Sequence, residues 1–174
     1  CTHLDTCSAD APMPIPVEYQ QPREAFVAFL ADVRDACELG STHQAYTTAQ
    51  AVLRTFRRRL SLADAIRFAG VLPGLLRALF VADWDPDQDR VPFGARATLE
   101  AEVRALRPLH NFSPSTALDA VRWALWRHVD AAALATVLQR LGPEAVAFWH
   151  LDRSDAAHVE ERAAAWRALG PNCN

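Results

Sequence analysis

Cysteine stands at positions 1, 7, 37 and 173, with His3 between the first two. Thiolates and imidazoles are the ligands that suit zinc. Cys1, His3, Cys7 and Cys173 therefore form a candidate soft-metal site if the two chain ends meet, as termini often do. Their spacing matches no compact ligand motif, so frayed tails, or a disulfide formed in air, are the preferred reading. Zinc is the one cofactor the sequence leaves open. No catalytic residue is assigned: no H-E-x-x-H pair, Gly-rich phosphate loop or serine in a nucleophile elbow occurs.

Other residue types with chemical potential are grouped but not in a functional frame. His110, His128, His150 and His158 crowd the second half, and His158 is followed closely by Glu160 and Glu161. Acid–base work would require such groups to converge in a cleft, and surface or half-buried histidines are the default. Asp83, Asp85, Asp87 and Asp89 alternate as in an oxygen-rich calcium loop. An EF-hand frame needs Gly at its sixth position and Glu at its twelfth, and starting at Asp83 or Asp85 gives Gln88 and Gly94, or Arg90 and Arg96. Both frames fail, and a solvated acidic loop in which Asp85 initiates a turn is preferred. Arg54, Arg57 and Arg58 share a helix face, with Arg59 beside them. This small basic patch could receive an acidic partner or a phosphate; the alternative is an outer face whose stems cover apolar surface and whose charges pair with nearby acids. Trp84, flanked by acids, is too large and apolar to sit idle in water and is expected to lie back over the helix ends it leaves. Trp123, Trp126, Trp149 and Trp166 read first as packing.

Composition narrows the function classes. The chain of 174 residues fits one domain, or two small ones sharing a core, and is 51% apolar and 22% charged. All 18 basic residues are arginine and none is lysine, a bias expected of a GC-rich bacterial genome. A net charge of −3 argues against general nucleic-acid binding, which needs a basic excess. No apolar run approaches a membrane span and no leader-like pattern opens the chain, so neither a membrane role nor a signal peptide is expected. A reducing, cytoplasmic setting suits the cysteines.

The elements that would position these residues are helical throughout. Pro12, Pro14 and Pro16 make residues 1–21 an extended, Pro-rich segment. Pro22 opens a helix carrying Phe26, Phe29, Leu30, Val33 and Cys37 at helical spacing, ended by Gly40. Thr42 caps a second helix with Tyr46, Ala49, Leu53, Phe56 and Leu60 inward. Ser61 caps a third with Leu62, Ala65, Ile66, Ala69 and Leu72 inward. Pro73 stops that helix near Leu72, and Gly74 restarts a short, mostly buried one with Leu75, Leu76, Leu79 and Phe80 on one face and Arg77 opposite. A final helix runs from Ser154 through Val159, Ala163 and Trp166 to Gly170.

The second half echoes the first. A shift of 69 residues lays Val52 on Val121, Phe56 on Leu125, Ser61 on Asp130, Leu72 on Leu141 and Phe80 on Trp149, and replaces Pro73-Gly74 by Gly142-Pro143. Upstream, Ser113 and Pro114 open the counterpart of the helix at Thr42. No segment shows sustained period-2 alternation. The expected fold is thus all-α: a helical bundle of two similar multi-helix repeats, 22–82 and 95–153, separated by an acidic linker loop, 83–94, and followed by a C-terminal helix and tail, 154–174.

The run LPGLLRALFVADWDP, preceded by the helix end AVLRTFRRRLS and followed by its degenerate second copy, resembles a bacterial family of helical proteins, the domain of unknown function 2267 family, over about residues 23–150. The resemblance implies an all-α fold with paired repeats and brings no catalytic residue with it. The opening CTHLD resembles the start of ubiquitin-hydrolase-type zinc fingers, in which that Cys and His bind zinc; the further Cys-x-x-Cys pairs and histidines such a finger needs are absent.

The reading this supports is a non-enzymatic helical module that mediates protein–protein interaction or self-association, with Arg54, Arg57, Arg58 and Trp84 as partner-binding candidates. The alternative is a metal- or small-ligand-binding sensor or enzyme that uses the terminal Cys and His residues or the groove between the repeats. An interaction module predicts a contiguous exposed apolar or Arg-lined patch, and a sensor predicts converging ligands or a formed pocket.

Overall fold

A computed structural model describes residues 22–106 and 116–169. Among these residues the chain forms nine helices and no strand. In chain order they are α1 (Pro22–Ala36), α2 (Thr42–Arg57), α3 (Leu62–Gly70), α4 (Gly74–Val81), α5 (Arg96–Ala105), α6 (Ala117–His128), α7 (Ala131–Leu141), α8 (Pro143–Trp149) and α9 (Arg153–Leu169). The fold is all-α, as the periodicity predicts. The candidate ligands Cys1, His3, Cys7 and Cys173, the histidine at His110, the expected start at Ser113 and Pro114, and the expected stop at Gly170 lie outside the described residues.

Local chemistry sets most helix ends. Pro22 opens α1, with Glu24 in its first turn, where a carboxylate complements the positive end of the helix. The helix ends before Gly40. Glu38 takes φ 54°, and the Leu39 amide donates to the Arg34 carbonyl at 2.9 Å, a Schellman-type closure with glutamate where glycine is usual. Ser41, rather than Thr42, caps α2: its hydroxyl accepts from the Gln44 amide at 3.2 Å. That helix stops at Arg57 and leaves Leu60 buried beyond it. Ser61 caps α3 by accepting from the Asp64 amide at 3.1 Å, and Asp130 caps α7 by accepting from the Ala133 amide at 2.8 Å. Both caps satisfy amides that the first helical turn leaves without intrahelical partners.

The breaks fall at the Pro and Gly pairs. Residue 73 would donate to the Ala69 carbonyl in a continuing helix, and proline cannot. Arg77 supplies donors instead, with Nε to the Ala69 carbonyl at 2.9 Å and Nη2 to the Leu72 carbonyl at 3.1 Å. The side chain expected on the far side of α4 is thus folded back over the break. At the second break Gly142 adopts φ 110°, a region where a Cβ is strained, and Pro143 takes the first position of α8, where its missing N–H costs nothing.

α1 packs against α2, α6 and α9; α2 also meets α4, α5 and α6; and α3 pairs with α7. Where these layers meet, an aromatic cluster fills the core. Phe56 of α2 lies 4.9 Å from both Phe68 of α3 and Phe148 of α8, and Phe68 stacks on Trp149 at 5.6 Å. Phe80 of α4 closes on Phe68 at 5.1 Å. This cluster fixes the rotation of α3 differently from the expected stripe. Phe68 points inward with Ala65, Ala69 and Leu72, whereas Leu62 is 51% and Ile66 62% exposed. Leu75, also expected inward, is 37% exposed, because its neighbours Leu76, Leu79 and Phe80 take the buried face of α4. No helix among the described residues is long and apolar enough to cross a membrane.

Candidate functional site

The end of α2 and the turn after it carry four arginines in six positions, Arg54, Arg57, Arg58 and Arg59, and the structure turns them to three different sets of partners. Arg57 is buried at 5% exposure. Its Nη1 donates to the Phe80 carbonyl and, at 3.1 Å, to the Ala82 carbonyl, so it closes the C-terminal end of α4, where carbonyls lack intrahelical donors. Its guanidinium lies over the Trp84 ring, 5.2 Å from the centroid, a cation–π distance. Arg54 pairs with Asp83 at 2.7 Å. Arg58 and Arg59 converge on Glu102 of α5 at 2.9 and 2.7 Å. Arg54, Arg57 and Trp84 are therefore brought together, and Arg58 faces the same loop while pairing across to α5. Three of these charges pair with nearby acids, as one of the sequence readings has it, but Arg57 and Arg59 are buried rather than on an outer face; the Val91 amide fastens the loop after α4 here by donating to the Arg58 carbonyl at 3.0 Å.

Between the corner of α2 and α3 and this loop lies a pocket of about 300 Å³, whose walls include Arg57, Arg58, Leu62, Trp84, Asp89 and Arg90. The Nε atoms of Arg57 and Arg58 are buried and have no hydrogen-bond partner. Burial, reinforced by repulsion from Arg54 and opposed by Asp83, brings the Arg57 guanidinium down to about 10. Among the described residues no carboxylate pairs with Arg57, and Asp83 is taken by Arg54. Chemically the pocket offers a buried cation on an aromatic plane, an exposed second cation at Arg90 and an apolar lip at Leu62. That combination suits a carboxylate carried on a partly apolar group. Asp85 shapes the loop opposite: its side chain accepts from the Asp87 amide at 3.0 Å, the Asx turn its position before Pro86 suggests.

A larger cleft, about 660 Å³, lies where the start of α1 and the Pro73-Gly74 break face His128 and Asp130. His128 Nε2 is 2.9 Å from Asp32 Oδ2, and Arg127 donates to the same oxygen at 3.1 Å. Burial pushes the Asp32 carboxyl up, but the hydrogen bonds from His128 and Arg127 more than offset it and hold it below its ordinary value. Arg167 of α9 approaches both Asp32 and Asp35 at 3.7 Å. The two aspartates sit on the buried side of α1, and sequence reasoning missed them. Their one signal is an i, i+3 pair of acids interrupting an apolar stripe.

The remaining candidates are dispersed. His150 and His158 are exposed, whereas His128 is part-buried in its pair with Asp32. Trp149 is fully buried, and its carbonyl accepts from Trp126 Nε1 at 2.9 Å. Trp123 is buried beneath Arg127. These three tryptophans pack in the core or against it, whereas Trp166 of α9 lines a cleft with Arg34, Asp35, Leu39 and Arg167. Among the described residues no group of three or more His, Cys, Asp or Glu side chains is placed to hold a metal ion.

The chain belongs to the family described as "Uncharacterized conserved protein (DUF2267)", which matches residues 26–148 and so runs from within α1 into α8. A comparison with curated proteins returns no match.

Proposed function

We propose that this member of the DUF2267 family is a non-enzymatic protein-interaction module, docking a partner at the corner of α2 and α3 with a carboxylate of the partner in the Arg57–Trp84 pocket. One observation carries the reading: a buried guanidinium with no carboxylate partner among the described residues lines a solvent-reachable pocket, with exposed Leu62 on its wall and exposed Ile66 one turn further along α3. Buried cations are normally paired, and exposed apolar residues one turn apart beside a charged pocket are the form of a binding surface. A photo-crosslinking residue placed at Ile66 in the producing cell is expected to give a discrete protein adduct that Arg90→Glu abolishes. The same residue at Val27, exposed on α1, is expected to give none. Equal adducts at both positions, or none at Ile66, would overturn the reading.

A second reading, a small-ligand sensor, has the 660 Å³ cleft and its Asp32-bonded His128 in its favour. Ala28 is exposed on that cleft wall, so Ala28→Trp fills the space without disturbing the core. A compound that raises the melting temperature of the unmodified chain and not of this variant would support the sensor; equal shifts in both would reject it.

A further inference from the structure

Resting on the interaction reading, we propose that the occupant of the α2–α3 corner is a second copy of this chain, docked about a two-fold axis so that the acidic loop of each copy meets the Arg-lined pocket of the other. A contact of this kind uses the same patch on both copies, so the patch must complement itself: acid, base and apolar surface have to lie on one face. The pocket wall satisfies that condition. Arg90 and Asp89 are neighbours on it with Leu62, and Asp87 precedes them on the same loop. Arg90, Asp87 and Asp89 are exposed, and none of the three forms an ion pair among the described residues. The acid that Arg57 lacks is thus present on the same face but on a loop whose carboxylates point to solvent, where a second copy can receive them.

The loop is also shaped in advance. The Asx turn at Asp85 and the bond from the Val91 amide to the Arg58 carbonyl hold both of its ends, so little ordering is lost on docking. Leu62 and Ile66, exposed one turn apart on α3, supply the apolar centre that a dimer contact needs inside its polar rim. The overall charge of −3 opposes self-association only weakly at physiological salt, where repulsion beyond about 8 Å is screened.

The test is sedimentation velocity over a wide concentration range for the unmodified chain, Ile66→Glu, Arg90→Asp and Asp87→Arg, each confirmed folded by circular dichroism. The unmodified chain is expected to dimerise, and each charge variant to dissociate at least about tenfold more readily, since like charges then face each other. In an equimolar mixture, the aspartate of Arg90→Asp meets the arginine of Asp87→Arg at one contact and the native Asp87 meets the native Arg90 at the other, so a mixed dimer is expected to return. A chain that stays monomeric throughout, charge variants that dimerise like the original, or a mixture that fails to recover would each overturn the proposal. The Ile66 crosslink separates this failure from that of the underlying reading. An adduct with a different protein from a monomeric chain overturns the second copy and leaves the interaction module standing; a monomer with no adduct removes both.

Discussion

Arg57 has a structural role at a place where the sequence shows only a charge run. Four arginines within six positions read as a solvated face because a helical wheel contains no information about what folds over it. The side chain is instead drawn inward by the carbonyls that α4 leaves open at Phe80 and Ala82 and by the Trp84 ring. Arg57→Leu keeps most of the apolar packing and strands those carbonyls, so it is expected to lower stability by about 1–3 kcal/mol, read as a shift of the urea midpoint. Unchanged or increased stability would show that the buried charge costs as much as its bonds return. Asp32 gives a second test at this scale. Its folded carboxyl titrates below the ordinary 3.8, so its contribution is present above the unfolded value and is lost as pH falls through the folded one. The loss of stability on acidification below pH 3.8 is therefore expected to be shallower in Asp32→Asn than in the unmodified chain, with Arg127, His128 and Arg167 still in place. Parallel acid limbs in the two would rule out this linkage. The one local mark of Asp32 is the acid pair it forms with Asp35 in an apolar stripe, because its partners come from α6, 95 and 96 residues away along the chain, and from α9, farther still.

At the level of elements, caps and breaks were legible because their chemistry is local. A serine or aspartate before an apolar run, and a Pro-Gly or Gly-Pro pair after it, place Ser61, Asp130, Pro73 and Gly142 without knowledge of the fold. The rotation of a short helix is not local. Nine residues of α3 and the turn that follows carry two overlapping stripes, one through Leu62 and Ile66 and one through Phe68 and Leu72, and the larger ring wins because it joins aromatic residues from three other helices. The glycines show the same distinction. Gly70 is helical, and a methyl group added to its Cα would meet nothing within 4 Å, whereas Gly142 has similar space but φ +110°. Gly70→Ala is expected to stabilise the chain by about 0.4–1 kcal/mol by restricting the unfolded state, and Gly142→Ala to destabilise it by more than that. Thermal melts of the two variants check the opposite signs; the same sign in both would mean that the backbone at 142 is not what sets the break.

Across the molecule, the core is shared. Phe56, Phe68 and Phe80 come from the first half of the sequence and Phe148 and Trp149 from the second, and all are buried in one cluster. Phe56→Ala is expected to cost about 3–5 kcal/mol and to lower a single unfolding transition as a whole. Two separated transitions in the variant would instead mean that the halves hold their own cores. The all-α class could be read from periodicity because every long segment repeats at helical spacing. Arg57, Arg58 and Trp84 could be named as candidates from the sequence, but that Leu62, Asp89 and Arg90 wall the same pocket could not, because that depends on how the loop after α4 returns to α2.

That returning loop has a consequence for protease attack. With no lysine in the chain, trypsin is confined to arginines, and most of the described arginines are in helices or bound to carboxylates and carbonyls. Arg90 is exposed, unpaired among the described residues and outside any helix. The first tryptic nick is expected after Arg90, and the two fragments should stay together, because the aromatic cluster joins residues from both sides of the cut. If a second copy covers this corner, the nick slows as protein concentration rises, and digestion becomes a direct measure of how often the surface is occupied.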